Sequence, residues 1–368
     1  MANLGYISAD FWKSKKVLIT GHSGFKGSWL TQFILNLDAI VLGLSLEQIE
    51  INHKNFSQVI LDIRELKKLS TVVADFQPNI ILHMAAQAFV SEGYQSPIET
   101  LQTNTLGTAN ILESSRDIES LLAVLIVTTD KVYEEPLDYE SKSSERFELG
   151  HFIDDPLGAN EIYGASKASA EIITNAYRES FFRQISGNSK SFVGIATARA
   201  GNVLGPNDWG INRLVPDFFR SYKYSNSLKL RSPLSVRPWQ HIYDLCIGYL
   251  LLIQNLSESP MKFSKAWNFG NKNTQCDVLT LVSALNQQLT KRQELNVPIV
   301  MIPENKHFQE RRFLRINSDV TEKCLAWTPE FNLESIAENL VDGFLLKDTN
   351  LRDFTVRTSQ LFLNKYMG

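Results

Sequence analysis

The feature that most constrains this chain's fold is a glycine-rich turn near its beginning. An apolar run at residues 17–20 leads directly into Gly21, Gly24 and Gly27, and an apolar helical pattern follows from Ser28. Early glycines permit a tight turn close to a pyrophosphate, and the last lets the helix pack on the strand, with free N–H groups facing the anion. The turn therefore predicts a dinucleotide site; a turn that only reverses the chain is the alternative. A P-loop is excluded because no Gly-Lys-Ser/Thr ending follows.

Short apolar runs alternate with helical patterns through the first two hundred residues. The runs that predict strands cover residues 16–20, 39–44, 79–83, 121–128 and 192–199. Continuous apolar strands, each followed by a helix, indicate a parallel sheet covered on both faces. The helical run 28–37 places one apolar stripe against that sheet: Trp29, Leu30, Phe33, Ile34 and Leu37. We expect an α/β fold with a doubly wound parallel Rossmann sheet, which binds ligands at the carboxyl ends of its strands.

A second, smaller lobe is expected after Gly201, where the alternation gives way to proline-bearing, aromatic-rich segments. The alternation of strands and helices returns in an apolar helix at 242–253 and a short strand at 266–269. The polar stretch 134–150 is predicted to be a surface loop. The predicted division is a dinucleotide-binding Rossmann domain at residues 1–202 and 241–270, with a discontinuous C-terminal substrate lobe at residues 203–240 and 271–368.

Composition narrows the range of partners. The 368 residues carry a formal net charge of only -3, which gives no support to a nucleic-acid partner. No apolar run reaches the roughly 20 residues that span a bilayer, and the N-terminus lacks a signal-peptide pattern. Cys246, Cys276 and Cys324 lie far apart, with no metal-ligand spacing. We therefore expect a cytoplasmic protein with buried thiols, no metal, no membrane and a small-molecule partner.

Tyr163 and Lys167 form the second chemical motif. They begin a helical stretch, and a spacing of four residues puts the phenol and the ammonium on one face. An adjacent positive charge is expected to stabilise tyrosinate and lower the pKa of Tyr163, so that the phenol can take a proton from a hydroxyl as hydride leaves. An ordinary surface tyrosine above a lysine is the alternative. The preceding glycine turn and apolar strand favour catalysis.

The choice between NAD and NADP is left open by the residues themselves. Ser45 stands at the end of the second strand, where a carboxylate often holds the ribose hydroxyls of NAD. Lys26 is either a phosphate contact, which would favour NADP, or a solvated lysine at a helix start. Asp62 is a candidate acceptor for the adenine amino group.

These motifs together resemble the extended short-chain dehydrogenase/reductase family. The likeness runs from Lys16 to about Leu333 and includes residues 83–87, 104–108 and 199–203. Within that family the sequence looks most like the CDP-glucose 4,6-dehydratases, and the segments that carry this are residues 21–29, 129–131, 155–158, 207–209 and 237–241.

The resemblance implies a bound NAD and a nucleotide-sugar substrate. The residues implied at the NAD site are Gly21, Gly24, Phe25, Gly27, Asp62, Ile63, Ala85, Ala86, Gln87, Asn104, Tyr163 and Lys167. Asn202, Arg213 and Arg237 are implied near the nucleotide diphosphate. Two arginines and an asparagine also suit phosphate recognition on chemical grounds, although surface arginines without a ligand are the alternative.

The implied reaction converts CDP-glucose to a 4-keto-6-deoxy sugar with no net oxidation. Tyr163 removes the C4 hydroxyl proton as hydride leaves C4, water is eliminated across C5 and C6, and hydride returns to C6. Thr129 is implied to hydrogen-bond the C4 oxygen, and Asp130 to act as the acid, which requires burial to raise its pKa. Lys131 occupies the place of a glutamate base in thymidine-linked relatives. It serves as a base only if its pKa is depressed; a charged lysine paired with a carboxylate or phosphate is the alternative.

The sequence departs from the family in three places. Gly158-Ala-Asn-Glu-Ile-Tyr163 replaces a usual Gly-Gly-(His/Tyr)-Asp-Pro-Tyr, and Pro206 and Asn207 stand where glycines are common. Residues 315–319 also replace a more usual Leu-Asp-Cys-Ser pattern. These differences leave the hexose and nucleobase open. A nucleotide-sugar 4-epimerase, a dehydratase of another nucleotide hexose and a non-catalytic sensor stay as alternatives, and a homodimer or higher homo-oligomer is expected.

Overall fold

A seven-stranded parallel sheet forms the centre of the protein. The computed structural model describes residues 5–134, 149–183, 192–303, 313–346 and 348–367. In the sheet the strands lie side by side in the order β3-β2-β1-β4-β5-β6-β11. The strands are β1 Lys16–Thr20, β2 Ile40–Ser45, β3 Phe56–Ile60, β4 Ile80–His83, β5 Ala123–Val127, β6 Gly194–Ala200, β7 Val203–Leu204, β8 Leu228–Leu230, β9 Val236–Pro238, β10 Gln240–His241, β11 Ala266–Phe269, β12 Gln275–Asp277 and β13 Ile299–Met301. The predicted doubly wound α/β fold is confirmed.

Helices cover both faces of this sheet. The α-helices are α1 Ala9–Trp12, α2 Phe25–Leu35, α3 Leu66–Phe76, α4 Val90–Gln95, α5 Pro97–Leu101, α6 Gly107–Ser115, α7 Ile162–Tyr177, α8 Leu214–Lys223, α9 Ile242–Glu258, α10 Pro260–Phe263, α11 Val278–Gln293, α12 Asp319–Leu325, α13 Leu333–Leu345 and α14 Asp348–Tyr366. Two π-helical turns continue α5 and α7, at Gln102–Leu106 and Arg178–Phe182. Among the described residues, no helix combines the length and apolarity needed to cross a membrane.

The strands predicted from apolar runs occur within about two residues of their expected ends. β3 was not predicted, because its residues are only partly buried and do not form a continuous apolar run. Helix α2 begins at Phe25, three residues earlier than expected, since Gly24 adopts the extended N-cap conformation and Gly27 already lies inside the first turn. The predicted loop at 134–150 lies mostly outside the described residues.

Two apolar layers hold the helices to the sheet. Trp29 and Phe33 of α2 pack with Tyr243 and Leu250 of α9 on one face. Leu69 of α3 belongs to the layer on the other face, together with residues of α6 and β4. The sheet is therefore buried on both sides, as its continuous apolar strands require.

A third apolar cluster joins α8, α11 and α13 with the two-stranded pairs β8–β13 and β9–β12. Later in the chain, Leu325, Trp327, Leu363 and Tyr366 pack instead with α2 and α9, in the core of the main sheet. The division at residues 1–202 and 241–270 against 203–240 and 271–368 stays a prediction.

Candidate active site

The glycine turn forms a cradle that side chains would fill. Gly21 adopts φ 74°, and a Cβ on it would lie 2.6 Å from the Ala85 nitrogen. A Cβ on Gly27 would lie 2.0 Å from the Gly21 carbonyl oxygen. Gly24 caps α2, and no side chain accepts a hydrogen bond from the helix's first N–H groups. Backbone N–H groups at a bare helix start suit a pyrophosphate, so the cradle fits a dinucleotide.

A buried histidine holds the loop that follows β4. The Thr20 hydroxyl accepts the N–H groups of Met84 and Ala85 at 3.1 and 3.2 Å, and it lies 2.7 Å from His83 Nδ1. His83 Nε2 lies 3.1 Å from the Thr108 hydroxyl. Burial, with the nearby charge of Lys167, lowers the pKa of His83 to about 3. A neutral imidazole thus fixes Ala85 beside Gly21, and Ala86 follows it.

Asn104 is a positioning group in this structure. It is 1% exposed; its side-chain oxygen accepts the Gln87 N–H at 2.8 Å, and its amide nitrogen donates to the Gln87 carbonyl and the Ser166 hydroxyl. The Gln87 side chain folds back onto Phe89. Asn104 therefore ties the loop after β4 to the helix that carries Tyr163. A direct contact of Asn104 or Gln87 with a cofactor stays a prediction.

The end of β2 is closed by an imidazole from the glycine turn. His22 is fully buried, with Nδ1 2.9 Å from the Ser45 hydroxyl and Nε2 2.9 Å from Gln58 Oε1. The Ser45 oxygen also accepts the Ser23 N–H at 3.2 Å. The Ser45 hydroxyl, which stands where a carboxylate often holds the ribose hydroxyls of NAD, is thus already engaged. Gly43 is required here, because a Cβ would lie 2.5 Å from the His22 ring.

Asp62, the candidate adenine contact, is paired with Arg64. The closest contact is 2.6 Å, and hydrogen bonding to Arg64 lowers the pKa of Asp62. Ile63 packs against Gly107, where a Cβ would lie 2.5 Å from its side chain. The pair keeps Asp62 ionised and acceptor-only. Adenine recognition by these residues stays a prediction.

Tyr163 and Lys167 lie on α7 as expected, and both are largely buried. The predicted lowering of the pKa of Tyr163 is wrong for the protein without bound ligands. Burial raises the pKa of Tyr163 to about 12, opposed by a hydrogen bond with Thr129. The ammonium of Lys167 donates to the Val127 carbonyl at 3.1 Å. Burial and the charge of Lys26 lower the pKa of Lys167 to about 8. Desolvation outweighs the attraction expected from helical spacing.

The strand β5 delivers the other reacting groups to the same edge. Thr129 donates to Asp130 Oδ1 at 3.0 Å, and Asp130 is 2% exposed. A Cβ on Gly201 would lie 2.5 Å from Pro238 and 3.2 Å from Asp130 Oδ2. The ends of β5 and β6 and the segment that follows Arg237 therefore meet at Asp130. Lys131 is partly buried beside them. The acid and base roles stay predictions.

The unusual loop before Tyr163 retains a helix cap. Glu161 is the N-cap of α7, and its carboxylate accepts the N–H groups of Tyr163 and Gly164, both at 2.7 Å. Glutamate thus does here what the family's aspartate can do, while Ile162 takes the place of a proline that would preset the first turn. Asn207, where glycine is common, has φ 68°, a conformation that glycine adopts most easily.

The candidate diphosphate residues lie after β6, on β9 and at the start of α8, near the cleft formed by Thr129, Asp130 and Tyr163. Arg213, the N-cap of α8, donates to both oxygens of Asp208 at 3.0 Å and stacks over the Phe89 ring at 5.1 Å. Arg213 also acts electrostatically on Tyr163. Arg237 lies on β9 and is 6% exposed. Asn202 follows β6, and its backbone carbonyl accepts from Gln240.

Lys26 lies in this cleft. Neither interpretation from the sequence, an NADP phosphate contact or a solvated lysine, predicted this position. Burial and the charge of Arg213 lower the pKa of Lys26 to about 8, while Asp130 and Asp208 raise it. The cations Lys26, Lys167 and Arg213 thus lie among the carboxylates of this region, which are Asp130, Asp208, Glu161 and Glu171. The ammonium and guanidinium donors among them suit a diphosphate.

Several functional groups were missed by sequence reasoning: His22, Glu161, Asp208 and Lys26 as a cleft residue. Two signals were available. Glu161 immediately precedes the helix of Tyr163, a capping position, and Asp208 lies five residues before Arg213, within reach for an ion pair. The partners of His22 lie on other strands, so their approach depends on the fold. Within the described residues, no cluster of three His, Cys, Asp or Glu could hold a metal.

Comparison with known proteins gives the family. A family profile described as GDP-mannose 4,6 dehydratase matches residues 18–340. The chain belongs to this family. A CDP-glucose 4,6-dehydratase of Salmonella typhimurium is 34% identical over 343 residues, which cover 91% of this chain and 92% of the relative. The resemblance to extended short-chain dehydrogenases/reductases is confirmed.

Solved structures of other proteins share the fold. An epimerase from Methanothermobacter thermautotrophicus superposes with a TM-score of 0.76 at 21% identity, covering 96% of this chain and 98% of that one. A dTDP-glucose 4,6-dehydratase from Bacillus anthracis in complex with NAD gives a TM-score of 0.71 at 21% identity, covering 89% and 96%. At this identity the likeness concerns the fold alone.

Proposed function

We propose that this protein is an NAD-dependent CDP-glucose 4,6-dehydratase that forms CDP-4-keto-6-deoxyglucose. The observation that carries the proposal is the meeting of Tyr163, Thr129 and Asp130 at one edge of the sheet, with Lys167 anchored beneath them. A 4-epimerase needs the first pair of hydride and proton transfers but no acid at C6. The relative named for this activity covers nearly the whole chain at 34% identity, which supports the CDP sugar.

Each catalytic residue of the cleft has its own role in the proposed reaction. Tyr163 accepts the C4 hydroxyl proton, and the Thr129 hydroxyl, which already hydrogen-bonds the phenol, orients the C4 oxygen. Asp130 donates a proton to the departing C6 oxygen, and Lys131 takes the C5 proton. Asp130 is buried and lies close enough to the Lys26 ammonium to interact with its charge. NAD, when bound, supplies a hydride acceptor that returns the same hydride.

The cradle of Gly21, Gly24 and Gly27 would hold the pyrophosphate of NAD, with Phe25 at the helix start and Ala85 and Ala86 opposite. NAD rather than NADP is supported by the surroundings of Lys26 and Ser45. Lys26 interacts with Asp130 and Arg213 in the cleft, away from the end of β2. At that end the Ser45 hydroxyl is held by His22.

Arg213, Arg237 and Asn202 would hold the diphosphate of the nucleotide sugar. Arg213 is presented by the N-terminus of α8 and bound by Asp208 through two hydrogen bonds. Both hydrogen bonds come from Nη1, and a guanidinium carries further N–H donors of the kind that recognise a phosphate. The substrate diphosphate would share or take over these donors.

The protein is further proposed to form a homodimer in the cytoplasm. Ile98 of α5, Leu106 of the π-helical turn and Ile172 of α7 are 65%, 55% and 59% exposed, on three segments that pack side by side. Large apolar side chains clustered on one face favour association with a second copy. The cysteines, free of disulfides within the described part of the chain, suit a reducing compartment.

The decisive experiment uses CDP-glucose that carries deuterium at C4. The expected product is a 4-keto-6-deoxy sugar with the label at C6 and none lost to solvent. Return of the label to C4 would establish the epimerase instead, and release to water would exclude internal hydride return. A parallel panel of dTDP-, UDP- and GDP-hexoses, with products identified by mass spectrometry, tests the nucleobase and the hexose.

A further inference from the structure

Glu171 is a buried carboxylate to which the reaction assigns no step. It lies on α7, four residues after Lys167, and is 4% exposed. One of its oxygens accepts the Thr128 hydroxyl at 2.5 Å. The other accepts the Thr197 hydroxyl at 2.6 Å and the Arg199 guanidinium at 2.9 Å. A single side chain therefore joins the catalytic helix to the ends of β5 and β6.

These bonds hold both flanks of the segment 129–131. Thr128 stands directly before it. On its other side, Tyr133 receives the second arm of Arg199 at 2.8 Å and donates to Asn268 at 2.5 Å. The Glu171–Arg199 pair thus fixes the strand end that presents Asp130, while Glu171 itself belongs to the helix that presents Tyr163. The distance between Asp130 and Tyr163 must be set within fractions of an ångström for proton transfer.

The negative charge of Glu171 also affects the protonation of Lys167. Burial and Lys26 both act against the Lys167 ammonium, and Glu171 acts in its favour. The titratable and charged groups around this carboxylate and ammonium are Lys26 of α2, His83 of β4, Arg199 of β6, Tyr133 after β5, and Tyr163 and Arg178 of the α7 region. His83 stays neutral at ordinary pH. Glu171 is the carboxylate that favours the protonated form of Lys167.

We propose that Glu171 is a positioning residue of this enzyme: it aligns Tyr163 and Lys167 with the segment 129–131, and its negative charge stabilises the Lys167 ammonium. The part that concerns catalysis rests on the proposed dehydratase function. The part that concerns Lys167 does not, because it depends only on the protein's own charges.

Two substitutions separate charge from hydrogen bonding. Glu171→Gln keeps the shape and loses the charge, whereas Thr197→Val removes one hydrogen bond to the carboxylate and keeps the charge. In Glu171→Gln we expect the pH at which kcat/KM levels off, near 8 in the parent, to move down by about 1 pH unit, because an opposite charge at close range shifts a pKa by about that much. In Thr197→Val this break in the pH profile should stay in place. An unmoved break in Glu171→Gln would overturn the proposal.

A substrate-free measurement keeps this test separate from the test of the dehydratase reaction. Competitive acetylation of the full-length protein, followed by peptide mass spectrometry, reports the titration of Lys167. Its midpoint should fall in Glu171→Gln and stay near that of the parent in Thr197→Val, even if the protein turns over no CDP-glucose. An equal midpoint in Glu171→Gln and the parent would refute the charge effect whatever the substrate is.

Glu171→Asp decides the alignment even if the glutamine variant does not fold. The shorter carboxylate keeps its charge but cannot span the same distance, so the Lys167 midpoint should be retained while kcat falls at least tenfold with little change in KM. Full turnover by Glu171→Asp would overturn the positioning role.

Discussion

The Lys167 ammonium donates to the backbone carbonyl of Val127 across 3.1 Å. The lysine of the catalytic helix is thereby anchored to the last residue of β5, two positions before Thr129. Burial and the nearby Lys26 charge make this ammonium easy to deprotonate and lower its pKa to about 8. The motif's second residue thus titrates close to physiological pH.

Activity should follow the titration of Lys167 at mildly alkaline pH. A lysine is charged below its pKa, so the Lys167 ammonium is present at neutral pH and is lost as the pH rises through about 8. The reaction needs this ammonium together with the phenolate of Tyr163, whose pKa burial raises to about 12. Below about pH 8 the phenolate fraction rises about tenfold per pH unit while the ammonium stays charged, so kcat/KM should rise. Above that pH the loss of the ammonium offsets the gain of phenolate, and kcat/KM should level off up to pH 10. The measurement is the rate of 4-keto product formation across a pH series, with circular dichroism to confirm that the protein stays folded. A kcat/KM that keeps rising about tenfold per pH unit up to pH 10 would contradict the assignment of Lys167.

Replacing the catalytic phenol should stop chemistry and spare the fold. Tyr163→Phe is expected to lower kcat by about 10²- to 10⁴-fold, the usual contribution of a positioned proton acceptor. NAD affinity should change little, because the phenol's hydrogen bond is to Thr129. Tyr177→Phe, which removes a phenol further along the same helix, is the matched control and should retain activity. Equal turnover by the two variants would show that Tyr163 is not the proton acceptor.

The sequence predicted the features that depend on a single helix or strand. It did not predict those that depend on contacts between several helices and strands. Apolar runs located the strands of the main sheet except β3, whose partly buried residues lack that pattern. The spacing of Tyr163 and Lys167 placed both on one helix. It could not give the direction of the pKa shift, because desolvation depends on packing by other elements. The surroundings of Glu171 were likewise not predictable, since its partners come from two strands and become neighbours only in the fold.

Substrate affinity should depend on Arg213 more than on ordinary surface cations of the same lobe. Hydrogen bonds to charged groups contribute about 1.5–3 kcal/mol, so Arg213→Ala should raise the KM for CDP-glucose by about 10- to 100-fold. Lys229→Ala removes an exposed cation of the lobe and is the control. Steady-state kinetics and isothermal titration with CDP measure both. If Arg213→Ala leaves CDP binding intact, the diphosphate lies elsewhere.

Dimer formation should depend on the exposed apolar face of α5 and α7. Ile172→Asp places a charge in the proposed interface, where it cannot be paired, and is expected to give monomers. Leu361→Asp changes a side chain that is 65% exposed on α14 and should leave the oligomer intact. Sedimentation velocity distinguishes the two species. Monomeric parent protein, or a dimeric Ile172→Asp variant, would exclude this interface.

The glycine cradle offers a matched pair of substitutions. A Cβ on Gly27 would lie 2.0 Å from the Gly21 carbonyl oxygen, so Gly27→Ala must displace the turn. The expected cost is about 1–3 kcal/mol of folding free energy, together with weakened NAD binding, because the displaced N–H groups no longer converge on one anion. A Cβ on Gly24 would lie 3.3 Å from the same oxygen, and its φ of -71° suits alanine, so Gly24→Ala should be tolerated better. Chemical unfolding and NAD titration of both variants test this. If Gly27→Ala binds NAD as well as Gly24→Ala does, the pyrophosphate does not lie against this turn.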